Sequence, residues 1–302
     1  MVLESIVNPL TEEYKPTRMF HVGFLYSTLG LFLGYFIFGT YASLAGIFLT
    51  SIPLIIVIYN AIKLEERETV FKLASTELIH MYRLDEREDV PFHKDTFLIK
   101  EHGRTLAFFM YLFLGLVTSY CLWFIVLPPN LVNTVFETQM DTIRSINPDI
   151  SGFMTQRHSP LMVIILNNLR VLFFCIVFSL LYGAGAILIL IWNASVIGAA
   201  VGSIIRNAIM TYAGESHSTF LYNYFKSFPV GFSYAIHGIP EIAAYFMGAL
   251  AGGIISFAVV NHEYKTKEFK HIIIDSADLV VLSVLLIVLA AFLEVYISPL
   301  VG

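Results

Sequence analysis

Long apolar stretches alternate with short polar segments along this chain. Several of the stretches hold about 20 mostly apolar residues, which is the length that crosses a bilayer as an α-helix. They are residues 20–39, 41–62, 105–127, 161–182, 184–206, 229–260 and 278–298. The pattern predicts an all-α fold, a polytopic integral membrane helical bundle with about seven transmembrane helices.

Two features of these stretches depart from a simple series of straight spans. The sixth stretch is too long for one straight span and contains Gly238 and Pro240, so we expect it to tilt, kink or break into two pieces. The fourth and fifth stretches meet at residues 182–185, whose sequence is Tyr-Gly-Ala-Gly. This sequence predicts a very tight turn.

Two polar segments repeat apolar residues at helical spacing. The first repeat is Val70, Phe71, Ala74, Leu78 and Met81 with Tyr82, and the second is Leu131, Val132, Val135, Phe136, Met140 and Ile143. The first predicts an amphipathic cytoplasmic helix over residues 65–83 that docks on the spans or on a partner, with the membrane surface as the alternative. The second predicts an amphipathic helix in the outer loop, which Asn147-Pro148 ends.

The same pattern divides the chain into an N-terminal two-span hairpin (residues 1–62), a cytoplasmic amphipathic linker (63–104) and a five-span core (105–302). Most of the 18 Lys and Arg residues lie in the N-terminal tail, this linker and the 261–277 loop. These segments share one side of the membrane if the number of spans is odd. The charges therefore predict a multi-pass protein of the cell membrane, with its N-terminus in the cytoplasm and its C-terminus outside.

Composition supports the membrane class and excludes others. The 302-residue chain is 57% hydrophobic and 14% charged, whereas soluble domains carry about 25% charged residues. The net charge of -5 comes without a basic stripe, so we expect the lipid bilayer as a partner and no nucleic acid. Cys121 and Cys175 lie inside apolar stretches and offer neither a disulfide framework nor metal-ligand spacing. No cofactor or metal ion is therefore expected.

Polar side chains interrupt the stretches of the predicted core. They are Asn167, Asn168 and Arg170 in the fourth stretch, Asn193 in the fifth, His237 and Glu241 in the sixth, and Glu294 in the seventh. A charged group at the bilayer centre costs at least about 2.5–3.5 kcal/mol, so each one needs a partner or a function. At about 1.5 Å of rise per residue, most of these groups fall in the outer half of the bilayer. We expect them to form one buried polar cluster.

Three interpretations of this cluster stay open at the level of sequence. In the structural one, Arg170 pairs with Glu241 or Glu294, and the asparagines tie helices together. In the functional one, the cluster lines a polar cavity for a proton, an ion or a polar substrate. In the catalytic one, His237 and Glu241 share a metal ion or act as an acid–base pair. The sequence contains no H-E-x-x-H or G-x-S-x-G motif, so no catalytic residue is assigned and a non-enzymatic protein is favoured.

Small residues indicate where helices pack closely. Gly198 and Gly202 lie one turn apart in the fifth stretch, and Gly248 and Gly252 do so in the sixth. Such pairs let two backbones approach each other. Packing within the chain is the first interpretation of these glycines, and a homodimer is the alternative.

A set of short motifs runs through the predicted core. They are Asn167-Asn168, Gly183-x-Gly185 followed by Asn193 and Gly198, His237-Gly238-x-x-Glu241, and Leu293-Glu294 before Ser298-Pro299. As a set they resemble the stage II sporulation protein M family of membrane proteins, over residues 105–302. Arg170 has no counterpart in the family pattern. The resemblance implies an α-helical membrane fold, and its named member suggests a scaffold that holds cell-wall hydrolases during engulfment.

Three hypotheses of function follow, in order of preference. The first is a non-enzymatic membrane scaffold or assembly component, which acts as a homodimer or with other membrane or envelope proteins. The second is a transporter or channel that moves protons, ions or a small polar solute through the cluster of His237, Glu241 and Glu294. The third is an intramembrane hydrolase.

Overall fold

The computed structural model describes residues 16–83, 98–146, 160–182, 184–212, 217–261 and 267–301. Every regular element in these ranges is helical, which confirms the all-α fold. The helices are α1 (Arg18–Phe38), α2 (Ala42–Arg83), α3 (Leu98–Val126), α4 (Pro129–Val135), α5 (Glu137–Ile146), α6 (Pro160–Tyr182), α7 (Ile187–Tyr212), α8 (His217–Asn261), α9 (Lys267–Phe292) and α10 (Ser298–Val301), with a 3-10 turn at Gly39–Tyr41 and a π-helical turn at Leu293–Ile297.

Within the described ranges, 6 helical segments are long and apolar enough to cross a membrane. They are Arg18–Leu64, His102–Val126, Leu161–Tyr182, Ile187–Asn207, Ile236–Val260 and Phe269–Ile297. The first of them is 47 residues long and contains α1, the 3-10 turn and the first part of α2. The number and length of these segments are those of a polytopic membrane protein.

Helices α1 and α2 form an antiparallel pair with a very close approach. A Cβ atom added to Gly34 would lie 2.8 Å from the amide nitrogen of Gly46, and one added to Gly30 would overlap the side chain of Thr50. The earlier residue of α1 thus contacts the later residue of α2, so the two helices run in opposite directions. The turn between them begins at Gly39, whose φ of 54° is a conformation that glycine adopts without steric cost.

Helix α3 lies beside α1 and runs in the same direction. Gly23 meets the backbone of Leu112. Further along both helices, the hydroxyl groups of Thr28 and Ser119 lie 3.0 Å apart, and Trp123 Nε1 donates to Thr28 Oγ1 at 3.0 Å. These neutral polar contacts join the N-terminal pair of helices to the region that the sequence assigns to the core.

Helix α8 is the central helix of the bundle. In the most apolar part of each helix, 78% of the residues of α8 are buried, compared with 17% for α6 and 22% for α9. α8 continues as one helix through Gly238 and Pro240, so of the three alternatives predicted for this stretch the break is excluded. A proline removes a single main-chain hydrogen bond, and the remaining bonds of this 45-residue helix hold the two ends together.

Helices α4 and α5 follow α3 and fold back against α2 and α7. The predicted outer helix is therefore two short helices, which meet at Phe136. This side chain is 1% exposed, and its ring lies 5.2 Å from the ring of Phe124. Asn147-Pro148 lies outside the described residues. So do the side chains of residues 65–83, where α2 continues as a helix, and the amphipathic character of that segment stays a prediction.

Candidate functional site

Acidic and amide side chains from α6, from the central helix α8 and from the π-helical turn after α9 come together at one place in the bundle. Glu241 of α8 accepts a hydrogen bond from the Tyr245 hydroxyl, with 2.7 Å between the oxygens. The side chain of Asn168, from α6, is a second hydrogen-bond partner of Glu241, and Glu294 is close enough to repel it electrostatically. We call Asn168, Glu241, Tyr245 and Glu294 the acid site.

The packing of α6 against α8 explains why Asn168 reaches Glu241. Gly248 faces Leu172, and a Cβ atom added to Gly252 would lie 2.5 Å from the carbonyl oxygen of Ile176. Contacts advance along both helices together, so α6 and α8 are parallel. Extending that register one turn back along each helix sets Asn168 beside Ala244, three residues after Glu241, and the side chains of Asn168 and Glu241 span the remaining distance. Gly248 and Gly252 thus make close contacts within the chain.

Glu294 lies in the π-helical turn, Leu293–Ile297, that follows α9. Turns of this kind are rare and are frequently found at functional sites. The extra residue in the turn changes the rotational phase of the helix, and therefore the direction in which the following side chains point. α9 runs antiparallel to α8, since Glu294 lies near Glu241 while Ser298 lies near the earlier residue His237.

A second polar contact lies one turn away from the acid site. His237 Nδ1 and Ser298 Oγ are 2.9 Å apart, and the tautomer of the imidazole decides which atom donates. His237 precedes Glu241 by one helical turn on α8, and Ser298 follows Glu294 by one turn. The two contacts therefore form successive layers between α8 and the end of α9.

The acid site is more exposed at its His237 end than at its Tyr245 end. His237, Glu241, Glu294 and Ser298 are each partly exposed, and a Cβ atom added to Gly238 would meet nothing within 4 Å. In contrast, Tyr245 is 1% exposed. The next turns of α8 beyond it are apolar and buried, with Ala249, Leu250 and Ile254. The polar path thus begins at the His237 layer and ends at Tyr245.

Among the residues whose side chains the structure describes, no basic group forms an ion pair with Glu241 or Glu294. Two neighbouring carboxylates in a low-dielectric region repel each other strongly, so they cannot both stay charged without a counter-ion. Such a pair is stabilised when one carboxylate is protonated or when a cation binds near both. Within the described ranges, no group of three His, Cys, Asp or Glu side chains is arranged to hold a metal ion.

Two of the polar residues singled out in the sequence, Arg170 and Asn193, lie away from the acid site. Arg170 is exposed on the outer face of α6 and forms no ion pair among the described residues. Asn193 Nδ2 donates to the carbonyl oxygen of Ile189 in its own helix, at 2.8 Å. Asn167 is also exposed, but its Nδ2 donates to Asn168 Oδ1 at 3.4 Å, so it lies at the edge of the acid site.

Gly198 and Gly202 serve a different contact, between α7 and α3. A Cβ atom added to Gly198 would lie 2.7 Å from Tyr120 Cβ, and one added to Gly202 would lie 2.8 Å from Phe124 Cβ. The contacts advance together, so α7 runs parallel to α3. Arg206, one turn further, donates at 2.8 Å to the carbonyl oxygen of Phe124, near the end of α3.

Sequence reasoning missed Tyr245 and the π-helical turn, and it used Ser298 as a residue of the motif set without placing it beside His237. A signal for both side chains was present, because Tyr245 follows Glu241 and Ser298 follows Glu294 by one helical turn, so each shares a face with a buried acid. It also missed Gln139 of α5, which is 1% exposed. Its side chain accepts from Ser43 Oγ at 2.7 Å and donates to Ser195 Oγ at 3.2 Å.

Comparisons with known proteins agree with the motifs in the predicted core. Residues 105–299 match the sequence profile of the family described as stage II sporulation protein M. The uncharacterized protein MJ0793 of Methanocaldococcus jannaschii is 31% identical over 157 residues, which cover 50% of this chain and 78% of that protein. No solved structure matches the chain. Since the profile covers more than half of the sequence, this chain belongs to the stage II sporulation protein M family of membrane proteins.

Proposed function

We propose that this protein binds and carries protons, or a small monovalent cation, at the acid site. The observation that supports this proposal most is the pair Glu241 and Glu294, which lie close together on membrane-length helices without a basic partner among the described residues. Keeping one ionised carboxylate in hydrocarbon is costly, and a second next to it is more so. A bound proton or cation removes that cost, which makes the pair a binding site by its chemistry.

The neighbours of the pair suit an exchangeable proton. Tyr245 and Asn168 both donate hydrogen bonds to Glu241, which stabilises its charged form while the proton is absent. His237 and Ser298 lie one turn nearer the surface, and imidazole is the side chain that most readily accepts and releases protons near neutral pH. Together these groups could pass a proton between the surface and the carboxylates.

A carrier fits this geometry better than an open channel. The polar path ends at Tyr245, and apolar side chains fill the next turns of α8. A proton held at the acid site would therefore reach the other side of the membrane only after the helices rearrange, as in alternating access. Peripheral helices such as α6 and α9 are the natural moving parts, because they bury the least surface against the bundle.

We also infer seven membrane crossings. The first membrane-length segment contains two antiparallel helices, α1 and α2, each long enough to span. α1, α3 and α7 are mutually parallel through their contacts with α3, and α6 is parallel to α8, which supports a chain that reverses direction at every crossing. The positive-inside pattern then puts the N-terminus in the cytoplasm and the C-terminus outside. Protease protection of a C-terminal tag in sealed, right-side-out vesicles would contradict this orientation.

Flux measurements in proteoliposomes test the transport proposal. With an imposed proton, Na⁺ or K⁺ gradient and a dye trapped inside, the wild-type protein should dissipate at least one of these gradients faster than empty liposomes do. Glu241→Gln and Glu294→Gln keep the shape of the side chains but remove the charge, so both should reduce the flux to that of empty liposomes. Asp278→Asn is the matched control, since Asp278 is an exposed acid on α9 outside the acid site.

Two results would contradict the proposal. One is a wild-type protein, reconstituted in folded form, that dissipates none of the three gradients. The other is a flux that both glutamine variants leave unchanged. The scaffold hypothesis is the second candidate, and the observation that favours it is the large exposed face of α6 and α9, which could hold a partner.

A further inference from the structure

The outer face of α6 carries a charge that no described residue of the chain neutralises. Arg170 is exposed on this face, and it forms no ion pair or hydrogen bond among the described residues. It lies about 13 Å from Leu161, the start of the membrane-length segment, at 1.5 Å of rise per residue. A guanidinium at that depth meets hydrocarbon rather than water, so a second group is needed to compensate it.

The same chain also carries an excess of negative charge at a matching depth. The side chain of Asn168 in α6 reaches Glu241, and Glu294 lies near Glu241. By the contacts of Gly248 and Gly252, the backbone of Arg170 lies about five residues deeper than Glu241, or about 7.5 Å at 1.5 Å of rise per residue. Side chains of a helix point towards its N-terminus, so the long side chain of Arg170 reaches back towards the depth of Glu294. The cation and the acid thus come to similar depths, but they point in different directions within a single copy.

We propose that two copies of this chain associate through the exposed faces of α6 and α9, with Arg170 of each copy paired with Glu294 of the other. α6 and α9 touch each other on the same side of α8, so both belong to one continuous surface. A twofold axis along the membrane normal preserves depth, and it would bring α6 of one copy against α9 of the other at two equivalent seams. Each seam then joins one unpaired cation to one unpaired acid.

Several exposed side chains of the two helices are available for that contact. On α6 they include Leu166 and Phe173, which are 55% and 59% exposed, and on α9 they include Leu285 and Leu289, at 60% and 47%. Glu294 itself is only partly exposed, so an arginine from outside could reach its carboxylate while Glu241 stays behind it. With Glu294 paired to Arg170 of the other copy, Glu241 would be the acid whose charge is still uncompensated. Transport at the acid site is not needed for the dimer, so each idea can fail alone.

Charge reversal tests the pairing. The wild-type protein, labelled with one fluorophore per chain and reconstituted at low density, should show two photobleaching steps per particle. Arg170→Glu should weaken dimerisation by about tenfold, because both seams lose an attraction and gain a repulsion. Combining it with Glu294→Arg restores opposite charges across each seam and should recover most of the dimer. A wild-type protein that bleaches in one step at every density, or a dimer that Arg170→Glu does not weaken, would overturn the proposal.

Cross-linking tests the same interface without changing a charge. Phe174 and Val288 are 43% and 45% exposed, and they lie six residues further into the membrane than Asn168 and Glu294, respectively. In a background with Cys121→Ser and Cys175→Ala, a copy with Phe174→Cys should form an oxidative cross-link with a copy carrying Val288→Cys. Leu29→Cys, 46% exposed on α1, is the control and should not react with Val288→Cys. Equal cross-linking by the control, or none by the α6 and α9 pair, would contradict the interface.

Discussion

Two clusters of buried polar side chains in this protein differ in how far neighbouring residues satisfy their hydrogen bonds and compensate their charges. The first joins Ser43, Gln139 and Ser195, which come from α2, α5 and α7 and are all neutral. Both ends of the Gln139 amide have partners, and Thr138 also donates its main-chain NH to Ser43 Oγ at 3.3 Å. We call these three side chains the glutamine network. The second group is the acid site, where Glu241 receives hydrogen bonds from Tyr245 and Asn168 and neither carboxylate has a basic partner among the described residues.

The comparison separates polar groups that hold helices together from those that can do chemistry. The glutamine network is fully hydrogen-bonded and nearly inaccessible, so nothing further can bind to it, and its effect is on stability. The acid site is partly exposed, contains a π-helical turn and carries excess charge. Groups of this second kind inside a membrane are costly, and they usually mark a route for ions or protons.

The largest effect is expected at the glycine contact that sets the register of the acid site. Gly252→Ala puts a methyl group 2.5 Å from the Ile176 carbonyl oxygen, and main chain cannot move aside without separating α6 from α8. The free energy of unfolding should fall by about 3 kcal/mol, measured by denaturation in detergent micelles. Gly238→Ala on the same helix meets nothing within 4 Å, and should leave stability unchanged or raise it by up to about 1 kcal/mol. Equal effects of the two substitutions would mean that the helices do not approach this closely.

A smaller loss is expected when the glutamine network is interrupted. Gln139→Leu keeps the volume of the side chain but leaves the buried hydroxyl groups of Ser43 and Ser195 with fewer partners. The free energy of unfolding should fall by about 2 kcal/mol, while any gradient dissipation in liposomes should persist. Thr134→Ala is the control, because it removes only an exposed local hydrogen bond to Asn130 and should cost less than about 0.5 kcal/mol. If the Gln139→Leu protein folded stably but lost its flux, the glutamine network would also be needed for transport, which would contradict the distinction between the two clusters.

The sequence predicts the helices better than it predicts which way their side chains face. Apolar length identifies the spans, and equal distance from the span ends puts the polar groups at a similar depth. The direction in which a side chain points depends on how the helix is rotated about its axis, and packing against other helices decides that rotation. Asn168 and Arg170 are two residues apart, which is about 200° around a helix, so Asn168 points to α8 and Arg170 points away from it. An intramolecular pair of Arg170 with either acid was one open interpretation of the sequence, and it is not formed among the described residues.

Local geometry that depends on several helices at once was also beyond sequence reasoning. The π-helical turn around Glu294 has no known composition signal, so the sequence could not predict it. In contrast, Gly238 and Pro240 led us to expect a tilt, a kink or a break, and of these the break does not occur. Proline removes one hydrogen bond of the helix, and the packing of the central helix on several others outweighs that loss. The division into residues 1–62, 63–104 and 105–302 stays a prediction.

The smallest effect, and the one that defines the acid site most sharply, is expected at Tyr245. Tyr245→Phe removes one hydrogen bond to Glu241 but keeps both carboxylates. A contact of this kind between groups in a membrane is worth about 0.6 kcal/mol, so the flux through the site should change by roughly threefold, not vanish. Tyr296→Phe, in the π-helical turn and 51% exposed, is the matched control and should have no effect on flux. If Tyr245→Phe abolished the flux as completely as Glu241→Gln, the tyrosine hydroxyl would itself have to carry the proton. The polar path would then extend one turn further into the buried part of α8 than the carboxylates do.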